Sequence, residues 1–289
     1  MRILFIYNPE AGKKSRRDQA IKNYLKKFNV NFIWHDTSTG SFIQYDPNQF
    51  ARIFACGGDG TIKEVAAWIL SKRSQTPLAI IPSGSANILA QSLAIPLEIN
   101  KALDLGFINN VHKIDVGLIN NRYYFLIAAG CGFDARIIKN TSRKAKKAWG
   151  FLAYITTMFL NFFHVKPNKF FLKFDGYSHT VTAQSIFISN FAKFFNLTLN
   201  PESRIDDGYL NVSILKTLRL KDLLILIRRF LFEDYQKDWR YEFHKVKEIY
   251  ILPFNKKTHM QIDGEVIELP YLDIKVLPSA LNIIAIKLP

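Results

Sequence analysis

Two kinds of hydrophobic pattern follow one another along this chain of 289 residues. In the first part, short runs that are apolar at nearly every position, such as ILFIYN at 3–8 and PLAII at 77–81, alternate with stretches in which apolar residues recur every three or four positions. The second spacing, seen at Ile62, Val65 and Ile69, marks one face of a helix. Apolar strands that alternate with amphipathic helices predict a parallel sheet covered by helices on both faces.

The pattern changes after about residue 115. Runs such as KFFLKF, YLNVSIL and NIIAIKL are apolar or alternate between apolar and polar residues, which predicts strands. Helical spacing interrupts these strands over 141–164 and 218–234. The change of pattern therefore predicts an α/β domain over residues 1–114 and a β-rich domain over residues 115–289.

The composition adds a strong positive charge to this picture. The chain has 39 Lys and Arg residues against 24 Asp and Glu residues, which gives a formal net charge of +15 at pH 7. Such a charge predicts attraction to an anionic partner, which could be nucleic acid, a phosphorylated small molecule or an acidic membrane surface. A nucleic-acid-binding module is disfavoured, because no recognised motif accompanies the basic residues.

Cysteine and histidine usage excludes several other classes. The two cysteines, Cys56 and Cys131, lie in no metal-ligand spacing, so neither a disulfide framework nor a cysteine-based metal site is expected. The six histidines are scattered without ligand spacing, which disfavours a histidine-based metal centre. No signal-peptide pattern opens the sequence, so we expect a cytoplasmic protein.

Polar, glycine-bearing loops follow three of the predicted parallel strands, at 8–13, 57–61 and 83–87. The carboxyl ends of such strands are where α/β sheets bind ligands. Bare backbone N–H groups at the start of a helix favour a phosphate group. The Asp59 carboxylate would repel a phosphate unless a cation intervened, and the Mg²⁺ carried by a nucleotide would meet that need. The alternative is a glycine-rich turn in which Asp59 only caps a helix, since neither the P-loop motif nor the dinucleotide-binding motif is present.

Five short motifs occur in an order and spacing that resemble the diacylglycerol kinase catalytic family, which includes bacterial lipid kinases, sphingosine kinases and ceramide kinases. They are NPEAGK at 8–13, GGDGT at 57–61, PSGSAN at 82–87, RIDDGYL at 204–210 and DGE at 263–265. The match spans nearly the whole chain. Five motifs in order are far more specific than any one of them.

The resemblance implies an α/β plus β fold. An N-terminal Rossmann-like α/β domain, related to those of NAD kinases and phosphofructokinases, would bind the nucleotide, and a C-terminal domain rich in β-sandwich structure would bind the lipid. The final residues could return to the first domain. ATP would lie in the cleft between the domains, and its γ-phosphate would pass to the hydroxyl group of diacylglycerol or a related lipid. A non-catalytic lipid- or nucleotide-binding protein on the same fold, or an NAD kinase-like enzyme, are the alternatives.

The resemblance also implies roles for individual residues. Glu265 would be the general base, and Asp59 would act in catalysis as the residue nearest to phosphate and Mg²⁺. A structural metal would be held by the Asp207 side chain and by the main-chain carbonyl groups of Arg204 and Tyr209. Nucleotide contacts are implied for Asn8, Gly12, Lys13, Thr37, Gly57, Gly58, Asp59, Gly60, Thr61, Glu64 and Ser85.

A membrane-associated partner is the remaining expectation. The segment 143–167 joins a basic cluster to an apolar stretch that is short for a spanning helix, and Asn161 and His164 interrupt its end. It is predicted either to pack internally or to lie on an anionic membrane surface, where each Lys or Arg contributes about 1 kcal/mol. We therefore expect transient membrane association with the lipid substrate, and a homodimer by family analogy.

Overall fold

Two compact units make up the protein. Contacts within the chain assign residues 1–114 and 279–289 to the first unit and residues 115–278 to the second. The computed structural model describes residues 2–12, 17–27, 30–132, 167–191, 193–194, 197–198, 203–216, 222, 225, 228–229 and 238–288. The predicted helical segment 141–164 lies outside the described residues, and only isolated residues of 218–234 are described.

The first unit is built on a parallel sheet whose strands alternate with helices. Its elements are β1 (Arg2–Tyr7), α1 (Arg17–Lys27), β2 (Asn31–Asp36), β3 (Arg52–Gly57), α2 (Asp59–Ser71), β4 (Leu78–Pro82), α3 (Ile88–Ser92) and α4 (Ile99–Phe107). β1 pairs in parallel with β2 and β3, and β3 pairs in parallel with β4, so the strand order is β2-β1-β3-β4. The predicted parallel sheet is therefore observed.

Burial explains why these strands are apolar throughout. Every residue of β3 and β4 is buried, because these strands lie inside the sheet and are covered on both faces. On α2, the helical stripe that includes Ile62, Val65 and Ile69 is buried as predicted. The Phe5 ring stacks between those of Trp34 and Phe54, with ring centroids 4.9 and 5.5 Å away. This core fixes the strand ends, and hence the loops that follow them.

The second unit is formed by antiparallel strands. The remaining strands of the chain are β5 (Val111–Ile119), β6 (Tyr123–Phe125), β7 (Ala128–Cys131), β8 (Asn168–Phe174), β9 (Tyr177–Ser189), β10 (Lys193–Phe194), β11 (Leu197–Thr198), β12 (Leu210–Lys216), β13 (Tyr241–Val246), β14 (Glu248–Pro253), β15 (Met260–Ile262), β16 (Glu265–Ile267) and β17 (Leu272–Ile284). The long strand β9 pairs with β7, β8 and β12. Alternate residues of β8, such as Phe170 and Leu172, enter one buried apolar cluster. The β-rich second part is therefore also observed.

The chain passes between the units inside strands rather than in loops. β5 begins in the first unit and ends in the second, and β17 makes the return passage. The return places Ile283 opposite Leu78 of β4, in parallel. The Asn282 side chain donates a hydrogen bond to the Gln75 carbonyl oxygen at 2.7 Å, which secures the same edge of the first unit. Residues 279–284 thus extend the sheet of the first unit.

None of the helices in the described part of the chain has the length and apolar character needed to cross a bilayer.

Candidate active site

Three loops of the first unit meet at the carboxyl edge of its parallel sheet. They follow β1, β3 and β4, and together they line an open depression of about 380 Å³. The lining residues are Asn8, Glu10, Ala11, Gly12, Gly58, Gly60, Thr61, Glu64, Gly84 and Ser85. The fold thus brings together most of the residues for which nucleotide contacts were implied.

Two of the loops touch through their backbones. A Cβ atom added to Gly84 would stand 2.5 Å from the Cα atom of Gly58, and a Cβ atom on Gly58 would stand 3.2 Å from the Cα atom of Gly84. Carbon atoms do not approach to 2.5 Å without displacing the backbone, so Gly84 has no room for a side chain, and a side chain on Gly58 would be packed tightly against Gly84. The glycines therefore set the distance between the loops as well as leaving backbone exposed.

Gly57 has a different role from its neighbours. Its missing side chain makes room for Thr61, because a Cβ atom on Gly57 would lie 2.4 Å from the Thr61 Cβ atom. The buried Thr61 hydroxyl accepts a hydrogen bond of 2.8 Å from the Asn8 side-chain amide. This bond ties the loop after β1 to the first turn of α2. Gly57 thus shapes the depression without lining it.

The Asp59 side chain forms hydrogen bonds with the backbone at the start of α3. Its Oδ1 atom accepts the backbone N–H of Leu89 at 3.1 Å, and the N–H groups of Asn87 and Ile88 also interact with this carboxylate. Burial raises the pKa of the Asp59 carboxyl, and the N–H donors partly offset that rise. Among the described residues, Asp59 is not one of those that line the depression. In this geometry it anchors one loop to another.

Asn87 completes the loop after β4, and the sequence analysis did not single it out. Its backbone is left-handed, with φ of 48°, and its side chain exchanges two hydrogen bonds with Gly84: the Gly84 N–H donates to Oδ1 at 2.9 Å and Nδ2 donates to the Gly84 carbonyl oxygen at 3.0 Å. Asparagine tolerates the left-handed region better than most residues. An asparagine directly before a helical pattern was the available signal. Glu10, Ala11 and Gly84 were missed as well.

The depression suits a phosphate group. α2 begins at Asp59 with Gly58 at its cap, and Gly58 has no side chain that could make a capping hydrogen bond. The first backbone N–H groups of a helix have no partner within the helix, and the helix dipole adds positive potential there. At Gly60 an added Cβ atom would meet no atom of the described residues within 4 Å, so this turn is open. An anion can therefore approach the start of α2.

Two carboxylates, those of Glu10 and Glu64, also line the depression. Beside a phosphate they would repel it unless a divalent cation lay between them. Mg²⁺ is commonly held by one or two carboxylates together with substrate phosphates, so these residues suit a nucleotide-borne Mg²⁺. Across the described residues, no group of three or more His, Cys, Asp or Glu side chains could hold a metal ion by itself.

Glu265 lies in the second unit, at the start of β16. The preceding turn is held firmly, because the Asp263 carboxylate accepts the backbone N–H groups of Leu126, Ile127 and Ala128 at 3.0, 3.0 and 2.9 Å. The Gly264 N–H donates to the Gln261 side chain at 2.8 Å. The Glu265 side chain is exposed at the end of this fixed turn. Asp263, which the sequence analysis did not single out, thus positions Glu265.

The loop that was expected to hold a structural metal has both oxygens of its Asp207 carboxylate engaged. Oδ2 accepts the Arg204 N–H at 3.1 Å, and Oδ1 accepts the Tyr209 N–H at 3.0 Å. The Lys245 ammonium group lies 2.8 Å from Oδ2. The Arg204 side chain pairs with Asp206 at 2.9 Å. These partners do not suit a divalent cation, since an ammonium group already neutralises the carboxylate.

Comparison with known proteins establishes the family. Residues 2–119 match the model of the diacylglycerol kinase catalytic domain, and residues 127–285 match that of the YegS C-terminal NAD kinase beta sandwich-like domain. The chain belongs to the diacylglycerol kinase family. This membership makes it a kinase, and it confirms both the resemblance and the α/β plus β fold class.

Relatives with known names agree with this diacylglycerol kinase family assignment. A diacylglycerol kinase from Staphylococcus aureus strain JH9 is 30% identical over 274 residues, which cover 91% of this chain and 86% of the relative. A Pseudomonas aeruginosa protein named "Probable lipid kinase YegS-like" is 32% identical over 220 residues, which cover 74% of this chain and 72% of the relative.

Solved structures show the same fold. A diacylglycerol kinase from Bacillus anthracis superimposes with a TM-score of 0.75 and 22% identity, over 98% of this chain and 96% of that one. Yeast NADH kinase superimposes with a TM-score of 0.56 and 11% identity, over 98% and 82% of the two chains. At these identities the likeness concerns the fold alone.

Besides Gly57 and Asp59, two more of the implied nucleotide contacts, Thr37 and Lys13, are not among the described residues that line the depression of this diacylglycerol kinase family member. Thr37 follows β2, where its N–H donates to the Tyr7 carbonyl oxygen at 2.9 Å. Lys13 lies outside the described residues. The roles of both residues stay predictions.

Proposed function

We propose that this diacylglycerol kinase family member is an ATP-dependent lipid kinase, which transfers the γ-phosphate of ATP to the hydroxyl group of diacylglycerol or a related lipid. One observation carries the nucleotide half of the proposal: three loops of the sheet converge on a depression into which the start of α2 opens. Such a helix start favours phosphate. Family membership supports the lipid half.

The depression would bind the nucleotide through its phosphates. Backbone N–H groups at the start of α2 and the exposed Ser85 would contact phosphate oxygens, and the lysine of NPEAGK, Lys13, would add a positive charge. Glu10 and Glu64 would hold Mg²⁺ together with these oxygens. When bound, Mg²⁺ would neutralise charge that develops on the transferred phosphoryl group. Asp59 would act indirectly, by holding the α3 loop against α2.

Glu265 would accept the proton of the lipid hydroxyl. Phosphoryl transfer needs positioning, charge neutralisation and a proton acceptor, and little other chemistry from the protein. An exposed carboxylate at the end of a turn that Asp263 fixes meets the last requirement. Because the turn that carries Glu265 is already fixed, its backbone loses little conformational freedom when substrate binds.

The acceptor would be reached at an anionic membrane surface. The net charge of +15 supports this association. So does the exposed Phe254, which is 62% accessible and is followed closely by Lys256 and Lys257. An aromatic ring beside lysines is typical of proteins that bind at the membrane interface. The homodimer implied by the family stays a prediction, which light scattering of the purified protein would test.

Phosphate transfer from labelled ATP tests the proposal. The protein is incubated with Mg²⁺ and a panel of lipids, namely diacylglycerol, sphingoid bases and phosphatidylglycerol, and with NAD. We expect label in a lipid, and we expect Glu265→Gln to lower kcat about 100-fold or more while ATP affinity is kept. Glu268→Gln, which alters another exposed carboxylate close by in sequence, is the matched control.

Two results would reject the proposal. Label in NAD and in no lipid would identify an NAD kinase-like enzyme. ATP binding without transfer to any acceptor would identify a nucleotide-binding protein without catalytic activity. If Glu265→Gln and Glu268→Gln both turned over like the parent, the assignment of the base would be wrong.

A further inference from the structure

The RIDDGYL loop is closed by both oxygens of one carboxylate. Asp207 receives N–H groups from Arg204 and Tyr209, on either side of it in the chain, so its two oxygens close the turn. The Lys245 ammonium group, 2.8 Å from Oδ2, supplies the positive charge. The side chains of Asp207 and Lys245 are 15% and 30% exposed, so the pair is largely sheltered from water.

The register of the sheet brings Lys245 to this loop. β12 begins directly after the loop, at Leu210, and pairs antiparallel with β13. In that pairing Lys245 stands opposite Asn211, two residues beyond Tyr209. The Lys245 and Lys247 ammonium groups also lie 5.3 and 5.5 Å from the centre of the Tyr209 ring. Cationic side chains from β13 and the residue after it therefore lie against the loop.

A divalent cation would have to displace this arrangement. It requires carboxylate and carbonyl oxygens within direct coordination distance, and Asp207 Oδ2 already accepts an N–H group and an ammonium group. A second cation beside Asp207 would be repelled by Lys245 and Lys247. We propose that the Lys245 ammonium group occupies the place that the family resemblance gives to a structural metal, and that it holds the RIDDGYL loop without a metal ion.

Lys245 is thus a positioning residue for a network of hydrogen bonds that extends from the loop to β5. The Gly208 N–H donates to the Asp115 carboxylate at 2.6 Å, and the Asp115 N–H donates to the Ile205 carbonyl oxygen at 2.9 Å. Asp115 is 1% exposed, and the Asn190 side chain donates to its carbonyl oxygen at 2.6 Å. Lys245 therefore connects β13 to the loop, and the loop to β5. Because this cation is a side chain of the protein, the connection does not depend on the concentration of free Mg²⁺.

Thermal unfolding of the full-length protein, with neither nucleotide nor lipid present, tests the proposal separately from the proposed function. We expect the Tm of the parent to be the same in EDTA and in millimolar Mg²⁺ or Ca²⁺. Lys245→Gln should lower Tm by about 2–4 °C through loss of the ion pair. This variant should then be stabilised by either cation, and a further Asp207→Asn change should abolish that response.

Two variants serve as controls. Lys247→Gln removes the other lysine that lies against Tyr209 and leaves the pair of Asp207 and Lys245 in place, so its Tm should match that of the parent. Lys245→Arg keeps a cation near Asp207 and should unfold close to the parent, again without a metal response. It also provides a folded protein if Lys245→Gln is poorly soluble.

The proposal would be overturned by a parent Tm that rises with Mg²⁺ or Ca²⁺ and no longer does so in Asp207→Asn. A Lys245→Gln variant as stable as the parent in EDTA would overturn it too.

Discussion

At the scale of single residues, the glycines of the active-site loops act mainly by letting other atoms approach. Gly58 and Gly84 allow two backbones to touch, and Gly57 admits the Thr61 side chain. Gly60, by contrast, borders open space within the described part of the chain. The same residue type therefore has two physical roles within one short motif, and substitutions separate them.

Gly84→Ala should destabilise the protein. Its methyl group would stand 2.5 Å from the Gly58 Cα atom, and the backbones would have to separate. We expect the free energy of unfolding in urea to fall by about 1–3 kcal/mol, as for other overpacked positions. Gly60→Ala, whose methyl group meets no described atom within 4 Å, is the control and should not lower that free energy, since alanine favours a helix more than glycine does. Equal losses in both variants would contradict the close-approach explanation.

Asp59 allows a second prediction, which concerns pH. Burial raises the pKa of the folded carboxyl above 3.8, so the folded state binds the proton more tightly than the unfolded state does. The contribution of Asp59 to stability is therefore full below pH 3.8 and declines as the pH rises through the folded pKa. The unfolding free energy of the parent, relative to that of Asp59→Asn, should accordingly fall as the pH rises from 3.8 through the folded pKa. Urea unfolding of both proteins across this range measures it, and a constant difference would contradict the raised pKa.

Replacing Asp59 with alanine separates charge from hydrogen bonding. Asp59→Ala leaves the Leu89 N–H without its acceptor, whereas Asp59→Asn removes the charge but keeps an amide oxygen that can still accept this bond. We expect Asp59→Ala to be less stable than Asp59→Asn by about 1–3 kcal/mol at pH 7, measured by urea unfolding. Equal stability of the two variants would show that the N–H groups find other partners.

At the scale of elements, the turn of the hairpin formed by β15 and β16 adds a second attachment to the sheet, beside the pairing of β15 with β7. Asp263 and Gly264 have φ angles of 47° and 81°, and the Asp263 carboxylate accepts the N–H groups of residues 126–128, which run from the end of β6 to the first residue of β7. A hairpin turn is thereby joined to a distant part of the chain. The orientation of Glu265 follows from this junction.

Asp263→Ala should weaken that junction. Up to three backbone N–H groups would lose an acceptor, and we expect the free energy of unfolding to fall by about 1–3 kcal/mol. Because the Glu265 turn would loosen, kcat should fall as well, while ATP affinity stays near that of the parent. Asp263→Asn, which keeps one acceptor oxygen, should lie between Asp263→Ala and the parent. A loss of ATP affinity alone would argue against this role.

At the scale of the whole molecule, charge decides the expected partner. The chain has 39 basic and 24 acidic residues, and this excess of positive charge favours binding to anionic surfaces. Between residues 249 and 262 there is no acidic residue, and this segment carries the exposed Phe254 with Lys256 and Lys257. Its charge and its exposed ring would act together at a membrane interface.

Binding to vesicles of phosphatidylglycerol and phosphatidylcholine tests this expectation. Binding should fall steeply with added salt, because salt screens the attraction. Replacing both Lys256 and Lys257 with Gln should weaken binding about 10- to 30-fold, at about 1 kcal/mol for each lysine. Tyr177→Ala, which removes an aromatic ring that is 74% exposed beside Asp175, is the control and should bind like the parent. Binding that ignores salt would contradict the model.

The sequence predicted much of the fold because the relevant signals are local. Fully apolar runs marked β3 and β4, and motif order indicated the family before any contact was known. The pairings that position the site are not local, since Asp59 meets Leu89 and Asp207 meets Lys245 only after the chain has folded. The glycine-rich motif after β3 predicted a phosphate-binding site because that signal is also local. The contact between Gly58 and Gly84 could not be predicted, since it joins two separate loops.

The return of β17 to the first unit has a consequence for biosynthesis. Residues 279–284 are translated only after the entire second unit, yet Ile283 pairs with Leu78 at the side of β4. Until then β4 offers unpaired peptide groups to any neighbouring strand, which is a recognised route to aggregation. The first unit therefore cannot complete its folding until β17 has been translated. In a fragment ending at residue 114, this edge of β4 would remain unpaired.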